Sequence, residues 1–152
     1  MPRRSGKPRR LVADGRTYLY SLRHHHDVLD DGRSERCRET LTLYPQPAGS
    51  GGGALRIVFA DGPGRYVPGG FPLGSGDVGY TRGASLNLHE PGAVRSLLDT
   101  ALARGWQPGG RTVEVDGWSL LEEAAVMRDR GAAPAPPGRA PGAAANPGRA
   151  PA

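Results

Sequence analysis

Three consecutive histidines and a single cysteine are the residues that could bind a metal ion. His24, His25 and His26 precede an Asp-Asp-Gly turn signal, and Cys37 and Glu39 follow it. If the two flanking segments pair as a hairpin, His24 and His26 share a face with Cys37 and Glu39. Imidazole and thiolate groups are ligands for zinc and copper. This set is therefore one hypothesis for a small metal-dependent enzyme.

A structural interpretation of the same residues stays open beside it. Histidines at the fraying end of a hairpin are polar and solvated, and Cys37 can be a small buried hydrophobic residue. No second CxxC or HxxxH element accompanies the histidines, although structural metal sites usually contain one.

A second candidate for chemistry lies where a helix is predicted to begin. His89 and Glu90 stand immediately before Pro91-Gly92, so an imidazole, a carboxylate and the unpaired N–H groups of a helix start come together. This arrangement could serve acid/base catalysis or anion binding. Capping of the helix by Glu90 explains the same two residues without any catalysis.

No cofactor is predicted. The string at 74–79 matches GxGxxG, and Asp99 follows at about the spacing of a ribose-binding acid. That motif needs a buried parallel strand before it and a helix directly after it, whereas residues 80–89 have the pattern of a strand. P-loop, HExxH and GxSxG patterns are also missing, so the chain is not assigned as an enzyme.

The net charge of +5 comes from the ends of the chain. Residues 1–10 contain no acid and form a predicted basic disordered arm, and the segment 11–130 carries 13 arginines against 15 acids, a net charge of −2. A cluster of cations can bind phosphates without sequence preference. Weak nonspecific binding of nucleic acid is therefore a hypothesis for the five basic residues of the arm, which are Arg3, Arg4, Lys7, Arg9 and Arg10.

Alternating apolar and polar residues predict strands over most of the first ninety residues. Asp14-Gly15 favours a tight hairpin between two of them, because glycine tolerates positive φ. Pairing the apolar faces of the next hairpin places Tyr18 opposite Leu43, Tyr20 opposite Leu41, and His24 opposite Cys37. Further strands are expected around 55–59, 66–67, 84–88 and 112–115, and an irregular loop over 68–79.

Two helices complete the predicted domain. Proline at the first position and a stripe of apolar residues predict a main helix over 91–104, closed by Gly105, with Trp106 folding back on the stripe. Ser119 and Glu122 have the spacing of a capping box, which starts a second helix through about residue 128. The stripe of the main helix consists of Val94, Leu97, Leu98, Ala101 and Leu102.

These elements predict an α+β fold: a curled antiparallel sheet of five or six strands packed against the two helices. The segment 11–130 forms one domain, and 131–152 is a disordered tail rich in proline, alanine and glycine. A lone cysteine, no apolar leader and no membrane-length stretch favour a cytoplasmic protein without membrane contact. The function favoured is a non-enzymatic binding or adaptor module that holds a protein or small ligand at a sheet edge or at the loops of 61–83.

Overall fold

The computed structural model describes residues 7–47, 53–68 and 75–132. The described residues form eight strands and two α-helices, together with a 3-10 helix at Gly117–Ser119. The strands are β1 (Arg9–Ala13), β2 (Arg16–Val28), β3 (Ser34–Pro45), β4 (Leu55–Ala60), β5 (Arg65–Tyr66), β6 (Asp77–Tyr80), β7 (Ser85–Asn87) and β8 (Val113–Asp116), and the helices are α1 (Pro91–Ala103) and α2 (Leu121–Ala132).

The strands build two sheets. The larger has the order β1-β2-β3-β4-β8, and the smaller has the order β5-β6-β7. All pairs are antiparallel except β4 with β8, which run parallel because the chain returns to this edge through α1. The α+β class with a sheet and two helices is confirmed, while the predicted single sheet is divided into a mixed sheet and a small antiparallel one.

The first hairpin turns as its sequence predicts. Asp14 has φ of 50° and Gly15 has φ of 76°, which is the pair of positive values that a two-residue type I′ turn requires. Gly32 in the second turn also has a positive φ, and its N–H donates to the carbonyl of Leu29. Both turn predictions are confirmed.

The predicted register of β2 with β3 is wrong by two residues, although the buried faces are right. Tyr20 pairs with Leu43, and His24 pairs with Glu39 rather than with Cys37. A shift of two leaves every side chain on its face, so the apolar pattern could not detect it. The length of the turn and a bulge between His25 and Asp27 set the register instead.

The core lies on one side of the five-stranded sheet, which we call the inner face. Tyr18 and Phe59 from the strands are buried there with the stripe of α1, where Leu97 and Leu98 are fully buried. Trp106 is also buried, with its ring tilted against Tyr18 at 6.4 Å between centroids. The predicted packing of α1 and Trp106 is confirmed.

Two local predictions differ from the structure. Ser119 does not cap α2 but lies inside the 3-10 helix, where its hydroxyl donates to the carbonyl of Asp116. The side chain of Asp116 accepts from the N–H of Trp118, so aspartate takes the capping role one turn earlier. Residues 77–80 form β6, although the sequence indicated a loop as far as 79, because a short strand with two glycine neighbours gives little apolar signal.

The described secondary structure begins within the predicted arm and ends with α2. Arg9 and Arg10, assigned to the arm, are the first residues of β1, and α2 reaches Ala132. The predicted residues Arg3 and Arg4 and the tail beyond 132 lie outside the described residues. Among the helices that are described, none combines the length and the apolar character needed to cross a membrane.

The aromatic ring of Phe59 leaves no room for a side chain at Gly117, so we expect Gly117→Ala to destabilise the fold. A Cβ at this position would lie 2.6 Å from Cε1 and Cζ of Phe59, which is fully buried and meets Trp118 edge to face. Overpacking of this kind costs about 1–3 kcal/mol in the free energy of unfolding. Urea unfolding followed by tryptophan fluorescence measures it.

Gly92→Ala is the matched control, since a Cβ there would meet no atom within 4 Å. Alanine in the first turn of α1 should leave stability unchanged or raise it by up to about 1 kcal/mol. Equal stability of the two variants would show that Phe59 does not confine Gly117.

Candidate functional site

The inner face brings His24 and Glu39 together. The two residues are direct cross-strand partners, and Nδ1 of His24 lies 2.6 Å from Oε1 of Glu39. Glu39 is 3% exposed. An ionised carboxylate can only accept, so the proton of this hydrogen bond then lies on Nδ1; Nε2 of His24 carries a lone pair in the neutral imidazole and a proton in the imidazolium.

Burial raises the pKa of Glu39 above its ordinary value of 4.5, because the carboxylate loses its hydration. The hydrogen bond and charge of His24 act in the opposite direction, and so does the charge of His89. His89 is therefore close enough to affect Glu39. The sequence suggested His89 and the three consecutive histidines as separate candidates, and the charge effect on Glu39 is the link between them. We call His24, His26, Glu39 and His89 the histidine site.

Two ring nitrogens of the histidine site have no hydrogen-bond partner within the described ranges. They are Nε2 of His24 and Nδ1 of His26, both buried, on rings whose centroids lie 5.2 Å apart. Leaving a buried polar atom unpaired costs about 1–3 kcal/mol. The site therefore has unused capacity to accept or donate hydrogen bonds, and a carboxylate–imidazole pair of this kind can move a proton.

His89 is held in place by contacts on three sides. Its Nε2 lies 2.9 Å from the hydroxyl of Ser75, and its backbone N–H donates to the side chain of Asn87. The guanidinium of Arg9 donates to its carbonyl at 2.8 Å. Gly76 has a φ of 78°, and a Cβ there would lie 2.5 Å from the imidazole ring, so only glycine allows this approach.

The predicted metal ligands do not form a ligand set. Among the described residues, no group of three or more histidine, cysteine, aspartate or glutamate side chains is placed to hold a metal ion. Cys37 is buried, and its N–H donates to the carboxylate of Asp61. Burial, followed by the negative charges of Asp61 and Glu39, raises the pKa of the Cys37 thiol, which disfavours the thiolate that a metal would bind.

The other predicted residues are placed outside the histidine site. Glu90 is the N-cap residue of α1, but it is exposed and its side chain forms no capping hydrogen bond. In the arm, Lys7 is exposed, Arg9 contacts the carbonyl of His89, and Arg10 lies on the side of the sheet opposite the core.

A concave groove lies at the β8 edge of the large sheet, and all of its lining residues are described. It encloses about 540 Å³, within the usual range for small-ligand sites. Its apolar walls come from the end of α1 with the Trp106 that follows it, from β8, and from Leu120 between the 3-10 helix and α2. We call it the edge groove, and its apolar lining residues are Ala101, Trp106, Val113, Val115 and Leu120.

The polar groups of the edge groove are donors and cations. The indole Nε1 of Trp106 is buried and has no acceptor among the residues that the structure describes. Arg104 and Arg111 also line the groove; Arg104 pairs with Glu123 at 2.7 Å, while Arg111 has no ion pair within the described ranges. A wider depression of about 800 Å³ borders the Asp14–Gly15 turn, but turn residues form much of its wall.

The edge groove was not predicted from the sequence. The packing of Trp106 against the helix stripe was predicted correctly, but the relation of Trp106 to the arginines on either side of it was not. A tryptophan that follows a helix and lies between Arg104 and Arg111 was the available signal. Only the parallel pairing of β8 with β4 brings the rest of the lining together.

Comparison of the chain with protein-family models, with curated proteins and with solved structures finds no match.

The burial of Glu39 predicts a pH dependence of stability. Because its pKa is raised in the folded protein, Glu39 binds a proton more readily in the folded chain than in the unfolded one. Its contribution to the free energy of unfolding is largest below its unfolded pKa and is lost as the pH rises through the folded value. We expect wild type to lose stability relative to Glu39→Gln as the pH rises from about 4 to about 7.

Urea unfolding of both proteins across this range measures the difference. Glu35→Gln, at an exposed carboxyl of the same strand, is the control for the loss of one charge. If the difference in unfolding free energy between wild type and Glu39→Gln does not change with pH, or changes in the opposite direction, the raised pKa of Glu39 is contradicted.

Proposed function

We propose that the protein is a non-enzymatic binding module that holds a small organic acid with an apolar body in the edge groove. The observation that carries this proposal is the buried indole N–H of Trp106, which lines an apolar groove and has no acceptor among the described residues. A donor left without an acceptor favours a ligand that supplies one.

The charges at the groove favour an anionic ligand. Arg111 is exposed and has no ion pair among the residues described, and Arg104 shares its charge with Glu123. A carboxylate would receive a charge-assisted hydrogen bond from the indole and be attracted by Arg111. The apolar body of the ligand would lie on Val115 and Leu120, where burial of each CH₂ group contributes about 0.8 kcal/mol.

The position of the groove agrees with the expectation of a ligand at a sheet edge, since β8 is an edge strand. The lone and buried Cys37 fits a reducing, cytoplasmic setting. The histidine site is a second place at which a small polar ligand could bind. Its two free nitrogens and the indole Nε1 of Trp106 are covered to the same degree, and the edge groove is preferred because it adds an apolar wall that is open to solvent.

Octanoate is a suitable probe of the edge groove, with 1-octanol and octylamine as matched ligands that lack the carboxylate. We expect octanoate to raise the melting temperature in a saturable manner, with little effect from the other two. Trp106→Phe keeps an aromatic ring at this position and removes the indole N–H. Because a hydrogen bond to a charged group is lost, octanoate binding should weaken about tenfold. Calorimetric titration measures the affinity.

Trp118→Phe is the matched control, because the indole of Trp118 already donates to the carbonyl of Ala60 and does not line the groove. Octanoate should bind this variant as it binds wild type. Equal binding of octanol and octanoate, or octanoate binding that is unchanged by Trp106→Phe, would refute the proposal. The acid should also be recovered chemically unchanged after incubation.

A further inference from the structure

The side of the large sheet that faces away from the core carries a regular series of arginines. We call this side the outer face. Four successive cross-strand rows run along it, and each contains one arginine. In order along the sheet these are Arg38 on β3, Arg23 on β2, Arg56 on β4 and Arg10 on β1, all exposed.

These four arginines form no ion pair with any residue that the structure describes, whereas some of the other arginines do. Five others form ion pairs within the described residues: Arg33, Arg36, Arg95, Arg104 and Arg128. None of the four on the outer face forms one with any residue that the structure describes. Four cations are thus held on one surface without a salt bridge, although the segment 11–130 has a net charge of −2.

The arginines are close enough to act on a common neighbour. His25 lies on the outer face as the cross-strand partner of Arg38. Its pKa is lowered, first by partial burial and then by the positive charges of Arg38, Arg23 and Arg56. The three guanidinium groups therefore create a shared positive potential, which an anion spanning several rows would relieve.

The opposite edge of the outer face limits where an anion can bind. Glu114 on β8 is the cross-strand partner of Arg56, and Asp116 is the partner of Val58. These two carboxylates make the β8 edge unfavourable for a polyanion. The positive area is confined to β1, β2, β3 and β4, and follows the length of β2 and β3.

The outer face also carries an uncharged aromatic side chain. Tyr44 is 45% exposed and lies on the outer face at the end of β3 opposite to Arg38. Thr40 and Thr42 lie between them on the same strand and are buried, so Tyr44 is the uncharged group of this strand that is open to a ligand. From Arg38 to Tyr44 the strand advances about 20 Å. The four arginines are distributed over this length on four neighbouring strands, so an extended polyanion could meet several of them.

We propose that the outer face binds single-stranded nucleic acid, with phosphates on the arginine rows and a base stacked on Tyr44. A regular row of cations together with an aromatic side chain is how proteins bind single strands without sequence preference. A membrane surface would need exposed apolar side chains for insertion, and Val12, at 53% exposure, is the only strongly exposed aliphatic residue on the described part of this face.

Fluorescence anisotropy with a labelled oligouridine of about ten nucleotides tests the proposal on the full-length protein. We expect binding that weakens as salt is raised from about 50 to about 200 mM. Arg38→Ala and Arg56→Ala should each reduce the slope of log affinity against log salt by about 0.7. The double charge reversal Arg38→Glu with Arg56→Glu should weaken binding at least tenfold.

Tyr44→Ala separates stacking from charge. It should weaken oligouridine binding about tenfold and leave the binding of heparin, a polyanion without bases, unchanged. Arg82→Ala and Arg130→Ala remove exposed arginines that lie away from the outer face, and they should have no effect. Circular dichroism verifies that each variant is folded.

Three results would overturn the proposal. The first is oligouridine binding that survives the double charge reversal but is lost on deletion of residues 1–8, which would assign it to the basic arm. The second is binding to vesicles of anionic phospholipid, dependent on the same arginines, without binding of oligouridine. The third is equal weakening by the control and outer-face variants, which would mean a general effect of net charge. Octanoate binding in the edge groove is measured separately, so either proposal can fail without the other.

Discussion

The pairing of β2 with β3 is the constraint on which the rest of the molecule depends. Their register places Tyr20, Leu41 and Leu43 on the inner face, and it places Arg23 and Arg38 on the outer face. A slip of one residue would exchange the two sets and expose the core. The apolar side chains of β2 and β3 must face α1 to be buried. Because side chains alternate along a strand, this requirement also determines that the arginines point to the opposite face.

The same pairing creates the one strongly buried carboxylate of the described residues. Glu39 lies in line with Leu41 and Leu43 on β3, so its position on the inner face follows from theirs. Its burial is tolerated because His24, its direct partner on β2, supplies a hydrogen bond. Replacement of such a pair by apolar residues often costs little stability, so the pair is better understood as a source of specificity in the local packing than as a main source of stability.

The sequence was sufficient for features that depend on local patterns. Asp14-Gly15 specified the first hairpin, and Pro91 with the apolar stripe specified α1. It was insufficient where two solutions preserve the same pattern: the β2–β3 register could move by two residues without changing any face. The polar faces of β2 and β3 were identifiable from alternation, but Arg23, Arg38 and Arg56 become neighbours only when the register and the position of β4 are known. Likewise, His89 comes near Glu39 through the tertiary fold, which no spacing in the chain encodes.

Net charge describes this protein poorly, because the charges are separated by face. Most exposed carboxylates either pair with an arginine beside them, as Asp99 does with Arg95, or lie on β8 and the helices. The arginines of the outer face are left without such partners in the described structure, so a slightly acidic domain presents a basic surface.

β8 divides the two proposed binding surfaces: Val113 and Val115 line the edge groove, while Glu114 and Asp116 between and beyond them form the acidic border of the outer face. Alternation along a single four-residue strand is therefore enough to keep an apolar ligand site and a polyanion site apart.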